Sequence, residues 1–207
     1  MMKFVTSRGT LLLGSLLLLS VFFSACAAKY QAIRPGEISF SEPDFEDDVQ
    51  ISFRQGVLML SGNEKMSNRE LKGDLQLLAV NVRNTSDRTI NFIEDVKLYA
   101  DDQMILPLDQ KIVHTALKQR APLYFLYFLL FGYLEFCNGS DCTNIPVPIG
   151  VPIGLLNYNK ANQANDAFRE ELKRYDLLNM SIEPGQEVFG LIGIPKLEGA
   201  KLRFEVR

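Results

Sequence analysis

Side chains able to do chemistry are few here: 3 Cys, 1 His and no Trp in 207 residues. His114 sits among Ile112, Val113 and Thr115, with no Cys, Asp or Glu at ligand spacing. It reads as a helix-surface or packing residue rather than a metal ligand. Cys137 and Cys142 bracket the polar loop Asn-Gly-Ser-Asp. Two thiolates without a third ligand read as a small-loop disulfide before a soft-metal site. No Ser lies in a G-x-S-x-G elbow, and no Gly-rich loop carries a Lys for phosphate. Glu170 and Glu171 make a solvated helix face before they make an acid–base pair. Asn138-Gly-Ser140 fits the glycosylation pattern, which a three-residue match meets by chance. Neither a catalytic site, a metal nor a cofactor is implied.

The third cysteine has a different setting. Lys3 and Arg8 are followed by thirteen apolar residues, 11–23, the length of a signal-peptide core and short for a membrane span. Then comes Phe23-Ser-Ala-Cys26. Small residues before a Cys at this place resemble the lipobox of bacterial lipoproteins, although Phe23 stands where Leu is usual. The resemblance implies that Cys26 is the acylated first residue of the mature chain. Ordinary cleavage after Ala25-Cys26-Ala27 is the rival. Parity favours lipid: with Cys26 acylated, Cys137 and Cys142 remain as an even pair in an oxidising compartment. The expected organisation is a signal peptide over 1–25, a lipidated tether over 26–48 and one domain over 49–207.

The formal net charge is -3. Without Lys3 and Arg8 it becomes -5, and no basic cluster remains. That argues against nucleic acid as a partner and against electrostatic attachment to anionic lipid.

These residues must be positioned by two kinds of sequence. From Val49 the hydrophobic period is two. VQISF, GVLML, LQLLAVNV (75–82), 89–93, 96–99, 104–106, 180–183, 188–194 and 202–206 read as short strands with polar turns between them. SGNEKMSNRELKG reads as a polar hairpin or loop. The pattern indicates a mainly β fold, an antiparallel sandwich, carrying an α insertion at about 109–179.

That insertion is unusual. Residues 121–136, APLYFLYFLLFGYLEF, hold Tyr124, Phe125, Tyr127, Phe128, Phe131, Tyr133 and Phe136. A second apolar run, IPVPIGVPIGLL, follows the Cys loop. Asp109 is suited to cap a helix with Ile112, Val113, Ala116 and Leu117. Residues 122–136 are apolar on every side, which as a helix means burial in protein or lipid. Such a helix is about 22 Å long, too short for a hydrocarbon core of about 30 Å. Pro146, Pro148 and Pro152 keep a further helix from starting before about residue 151. From about Asn159 a stripe of Ala161, Ala164, Phe168, Leu172 and Tyr175 reads as helix. A helical hairpin insert is therefore expected. Tyr124, Phe125, Tyr127, Phe128, Phe131 and Tyr133 are its candidates for membrane or partner contact, and burial between the sheet and the late helix is the alternative.

AVNVRNTSDRTINF with the later IEPGQEVFGLIGI resembles the immunoglobulin-like modules of bacterial envelope lipoproteins. The longer pattern is similar to an uncharacterised lipoprotein family of Bacteroidetes-type bacteria. The resemblance implies a lipid-anchored protein of the cell envelope, at the outer membrane, and carries no activity. Two other readings stand beside it: an exported hydrolase whose apolar cleft the insert roofs, and a membrane-inserted transport or assembly subunit.

Overall fold

A computed structural model describes residues 26–40, 44–46, 48–138, 141–197 and 199–207. The leader expected over 1–25 lies outside the described residues. In chain order the strands and helices are β1 (Asp44–Glu46), β2 (Val49–Arg54), α1 (Val57–Leu60), α2 (Glu64–Lys72), β3 (Leu75–Asn84), β4 (Ile90–Asn91), α3 (Phe92–Asp95), β5 (Val96–Ala100), β6 (Gln103–Ile105) and α4 (Gln110–Leu117). A 3-10 segment, Ala121–Leu129, leads to β7 (Gly132–Asn138), β8 (Asp141–Val147) and α5 (Gly150–Arg174). Then come β9 (Ser181–Ile182), β10 (Glu187–Pro195) and β11 (Leu202–Val206). Contacts divide the described chain into a larger unit, 29–120 with 161–207, and a smaller one, 26–28 with 121–160.

The larger unit is built on β3. It pairs antiparallel with β10 along its length and with β2 on its other edge, in a four-stranded sheet ordered β1-β2-β3-β10. A second antiparallel sheet, β11-β5-β6, is separate. Successive strand residues point to opposite faces. Leu78, Val80 and Val82 join Ile51, Ile192 and Ile194 in one core, which also holds Val96, Leu98 and Phe204 of the second sheet. Leu75, Leu77 and Ala79 face the other way, into a core with Leu58, Met66, Val113, Leu117, Phe168 and Leu172 of the helices. Burial on both faces explains why LQLLAV is nearly continuous in apolar residues rather than alternating.

The expected antiparallel strands are present, but the unit is mixed α and β rather than mainly β. GVLML is not a strand: Gly56, at φ 68°, turns the chain and Val57 and Leu58 are buried as neighbours in a helical turn. The polar stretch after it is helix α2, because Met66, Ser67 and Glu70 share one buried face. Residues 29–40 are packed, not a free tether. Ile33 is fully buried, Tyr30 lies against Phe168, and the Gln31 backbone N–H donates to Asn63 Oδ1. The edge strand expected over 38–40 is absent: those residues form no strand and follow a 3-10 turn at Pro35–Glu37, where Pro35 fixes φ. Asp109 caps α4 as expected, accepting from the Lys111 N–H. The stripe from Ala161 to Leu172 is buried.

Asn84 ends β3 and is fully buried. Its Oδ1 accepts from Ser86 N–H and Oγ, while its Nδ2 donates to the carbonyls of Arg88 and Ile182. Its backbone pairs with Gln186 and Gly185 of the Pro184-Gly185 turn. Asn84→Ala leaves the buried Ile182 carbonyl short of a bond, a loss of about 1 to 3 kcal/mol, while the partners at Ser86 and Arg88 are open enough for water to replace the amide. The expected loss is about 1 to 3 kcal/mol in urea unfolding, and a loss well below about 1 kcal/mol contradicts this account.

Glu70 is buried, and its Oε1 accepts the Leu77 N–H at 2.6 Å. Burial raises its carboxyl above the ordinary range; the Leu77 bond and Lys196 act in the opposite direction. The native state then holds this proton more tightly than the unfolded chain, so this group's contribution to stability falls as pH rises. The window starts at the ordinary carboxyl value and ends at the raised one. Glu70→Gln keeps an acceptor for Leu77 and should flatten that part of the stability-versus-pH curve. An unchanged curve counts against it.

Candidate functional site

Among the described residues, most of the exposed large apolar side chains belong to the smaller unit. Residues 121–129 form 3-10 turns in place of the expected helix, and at Gly132 the chain becomes the extended strand β7. The helical hairpin is therefore corrected to a β-hairpin set between the 3-10 segment and α5. The physical reason lies in the pairing. Tyr133 opposes Pro146, Leu134 opposes Ile145, Phe136 opposes Thr143 and Cys137 opposes Cys142. Asn138 opposes Asp141 across a two-residue connection, and Gly-Ser between two such runs is a two-residue hairpin signal. Pro146 is tolerated because β8 has a partner on one edge only.

The pairing sorts the hairpin into two faces. Leu134, Phe136, Ile145 and Val147 share one face, and Tyr133, Glu135, Asn144 and the two cysteines share the other. Both are open to solvent: Tyr133 is 72% exposed and Phe136 56%. Cys137 and Cys142 are joined by a disulfide across the strands. The Glu135 carboxylate lies close to both sulfurs, but bonded sulfurs are not thiolate ligands.

Helix α5 begins at Gly150, nine residues ahead of the expected start at Asn159 and with Pro152 inside its first turn. The Gly150 N–H donates to the Leu130 carbonyl at 3.0 Å. A Cβ on Gly150 would stand 1.6 Å from Tyr127 O, and one on Gly154 would stand 2.8 Å from Tyr124 O. The two glycines thus allow the helix to lie directly on the 3-10 backbone, the close approach their spacing permits. Phe125 stacks on Tyr158 at 4.7 Å and meets Phe128 edge-on at 5.3 Å. The Ala27 N–H donates to Asn157 Oδ1 at 2.7 Å, which fastens the residue after Cys26 to this helix.

Of the expected contact residues, Phe125, Phe131 and Tyr133 are exposed. Tyr127 and Phe128 are half-buried, and Tyr124 is buried and so corrected away from the surface. Burial raises both tyrosine phenols, and Cys26 nearby adds to the effect. Aromatic content alone missed Leu126, Leu129, Leu134, Phe136, Ile145 and Leu156, all exposed. Leu134-Glu135-Phe136 alternates with period two, and that signal was available. Among the described residues, thirteen of the twenty exposed large hydrophobic side chains belong to this unit, so their exposure is concentrated rather than scattered. Among the described residues no helix is long and apolar enough to cross a membrane.

The larger unit offers a cleft of about 390 Å³ lined in part by Asp109, Lys111, His114, Arg169, Lys173 and Asp176. His114 Nε2 lies 3.0 Å from the Asn165 carbonyl, which can only accept, so this nitrogen carries the proton. Burial lowers the imidazole pKa; the Asn165 bond opposes that shift. Arg169 pairs with Asp166 and Glu170, and Lys173 pairs with Glu170, as expected of a solvated face, but Glu171, expected on that face too, is buried beside Tyr30. Asp109 and Asp176 each cap a helical turn. The cleft's charged groups are largely spoken for by local structure.

Comparison with protein-family models, with curated proteins and with solved structures returns no match for this chain.

A two-stranded hairpin open on both faces is marginal in water, which gives the disulfide its role. Closing a loop this short stabilises by about 2 kcal/mol. Replacing Cys137 and Cys142 together by Ser should lower the hairpin's amide-exchange protection by that amount and leave β3 and β10 unchanged. Equal loss in both regions, or none in either, is the contrary result.

Proposed function

We propose that the chain is a non-catalytic lipoprotein of the bacterial envelope, held at the outer membrane by lipid on Cys26. In this reading the larger unit is an immunoglobulin-like sandwich that serves as a structural or interaction module at the membrane surface. The observation that carries it is one of placement. Cys26 is exposed, stands beside Tyr124 and Tyr127, and is joined through Ala27 and Asn157 to the unit that concentrates the exposed apolar side chains. An acyl chain there and an apolar protein surface call for the same solvent.

The sandwich assignment is supported by two antiparallel sheets that contribute to one core. It is supported too by the turn at Asn84, bonded to the Pro184-Gly185 turn. Those are the two stretches that resemble the modules of envelope lipoproteins. The hydrolase reading requires a nucleophile and a base brought together beside the insert. The one imidazole has its Nε2 committed to a backbone carbonyl.

Metabolic labelling with a fatty-acid probe tests the anchor. The wild-type chain should take up label and Cys26→Ala should not. Label retained by the variant would falsify the assignment.

A further inference from the structure

We infer that the exposed apolar face of the smaller unit, centred on Leu134, Phe136 and Ile145 of the hairpin, inserts into the interface of an uncharged phospholipid bilayer. The inference rests on the reading of Cys26 as an anchor for its orientation, but not for the binding itself. Three observations select a bilayer as the occupant.

The first is charge. Residues 121–160 contain only Glu135, Asp141 and Lys160 as charged groups. Glu135 sits on the hairpin face opposite Leu134, Phe136 and Ile145, while Asp141 shares their face only at the turn end of the hairpin, paired with Asn138. Protein partners are met with a polar rim and roughly one hydrogen bond per 100 to 200 Å², and this face has only Thr143 and, at its turn end, Asn138 and Asp141 to supply them. It also offers no cluster of Lys or Arg to recognise anionic lipid.

The second is spread. Exposed apolar side chains run from the 3-10 turns (Leu126, Leu129) through the hairpin to the start of α5 (Ile153, Leu156). A surface of large flexible side chains suits a fluid occupant better than a shaped pocket does. The third is depth. Each hairpin strand has one unpaired edge, and unpaired N–H and C=O groups are excluded from the hydrocarbon core. The hairpin must then lie flat, with its backbone at headgroup level and only the side chains of one face in the acyl region. Tyr133, on the other face and 72% exposed, has the amphipathic ring found at that level.

The chain has no Trp, so Phe136→Trp provides a single reporter on the proposed face. The test uses the mature chain from residue 26 with Cys26→Ser, which removes any acyl chain, and phosphatidylcholine vesicles. Trp emission should shift to the blue on vesicle addition and be quenched by brominated acyl chains. Anionic lipid should not strengthen the effect, and high salt should not release it. Adding Leu134→Ser and Ile145→Ser should lower partitioning about 100-fold, since each lost apolar side chain is worth roughly tenfold.

Absence of a blue shift overturns the inference. So does binding that needs anionic lipid and fails at high salt. A shift already present without vesicles, in a chain of dimeric mass, means that a second copy covers the face and equally overturns it. Fatty-acid labelling remains the separate test of Cys26: label without a vesicle-induced shift keeps the anchor and discards the insertion, and a shift without label does the reverse.

Discussion

The carboxamide of Asn84 is the constraint on which the larger unit depends. A fully buried amide is costly unless its donors and acceptor are all engaged. Here Oδ1 and Nδ2 have partners in the loop after β3 and at the end of β9, while the backbone meets the turn before β10. The loop after β3, the short strand β9 and the β9–β10 turn are thus fixed by one side chain. From there β10 runs back along β3 in an unshifted register of nine pairs. A one-residue slip in that register would carry Leu78, Val80 and Val82 out of one core and into the other. Neither core would tolerate it, because each is filled from a different set of elements.

That dependence was legible in part. Asn-Thr-Ser and Pro-Gly are both turn chemistry, and the strands on either side alternate as half-buried strands do. What the local pattern could not show was that one Asn serves both turns, since its partners at the second turn lie 98 and more residues away. Short segments failed for a related reason. VLML is equally apolar as a strand or as a buried helical turn, and the left-handed Gly56 before it decides between them. KMSNREL looked polar because its buried face is made by Met66, Ser67 and a buried carboxylate, Glu70. Buried polar residues are invisible to a hydrophobic periodicity.

The candidate surface was legible in composition but not in conformation. An all-apolar run carries no period, so 122–136 gave no sign that it changes from 3-10 turns to strand at Gly132. Periodicity separates helix from strand only where polar residues mark one face, and Glu135 is the single polar marker in the run. The cysteine pair was the firmer clue. A disulfide between adjacent strands needs its two residues opposite each other, and the five-residue separation with an Asn-Gly between them provides that.

Composition and exposure together separate the two units by the solvent each suits. In the larger unit the exposed large hydrophobics, such as Met59, Leu71, Ile93 and Ile112, are spread over different elements. Ordinary folded surfaces carry such residues without consequence. In the smaller unit the same kinds of side chain occupy the 3-10 turns, the hairpin and the first turns of α5 together. Fully removing one Leu or Phe from water is worth roughly 1.5 to 3 kcal/mol, and these side chains are already partly covered, so the exposed set forgoes in water a sum comparable to the whole stability of a typical domain, about 5 to 15 kcal/mol. The hairpin is held by a disulfide and by backbone pairing, neither of which needs apolar burial to form. A covalent staple is what such an element requires if its apolar face is to be kept free for something other than its own core.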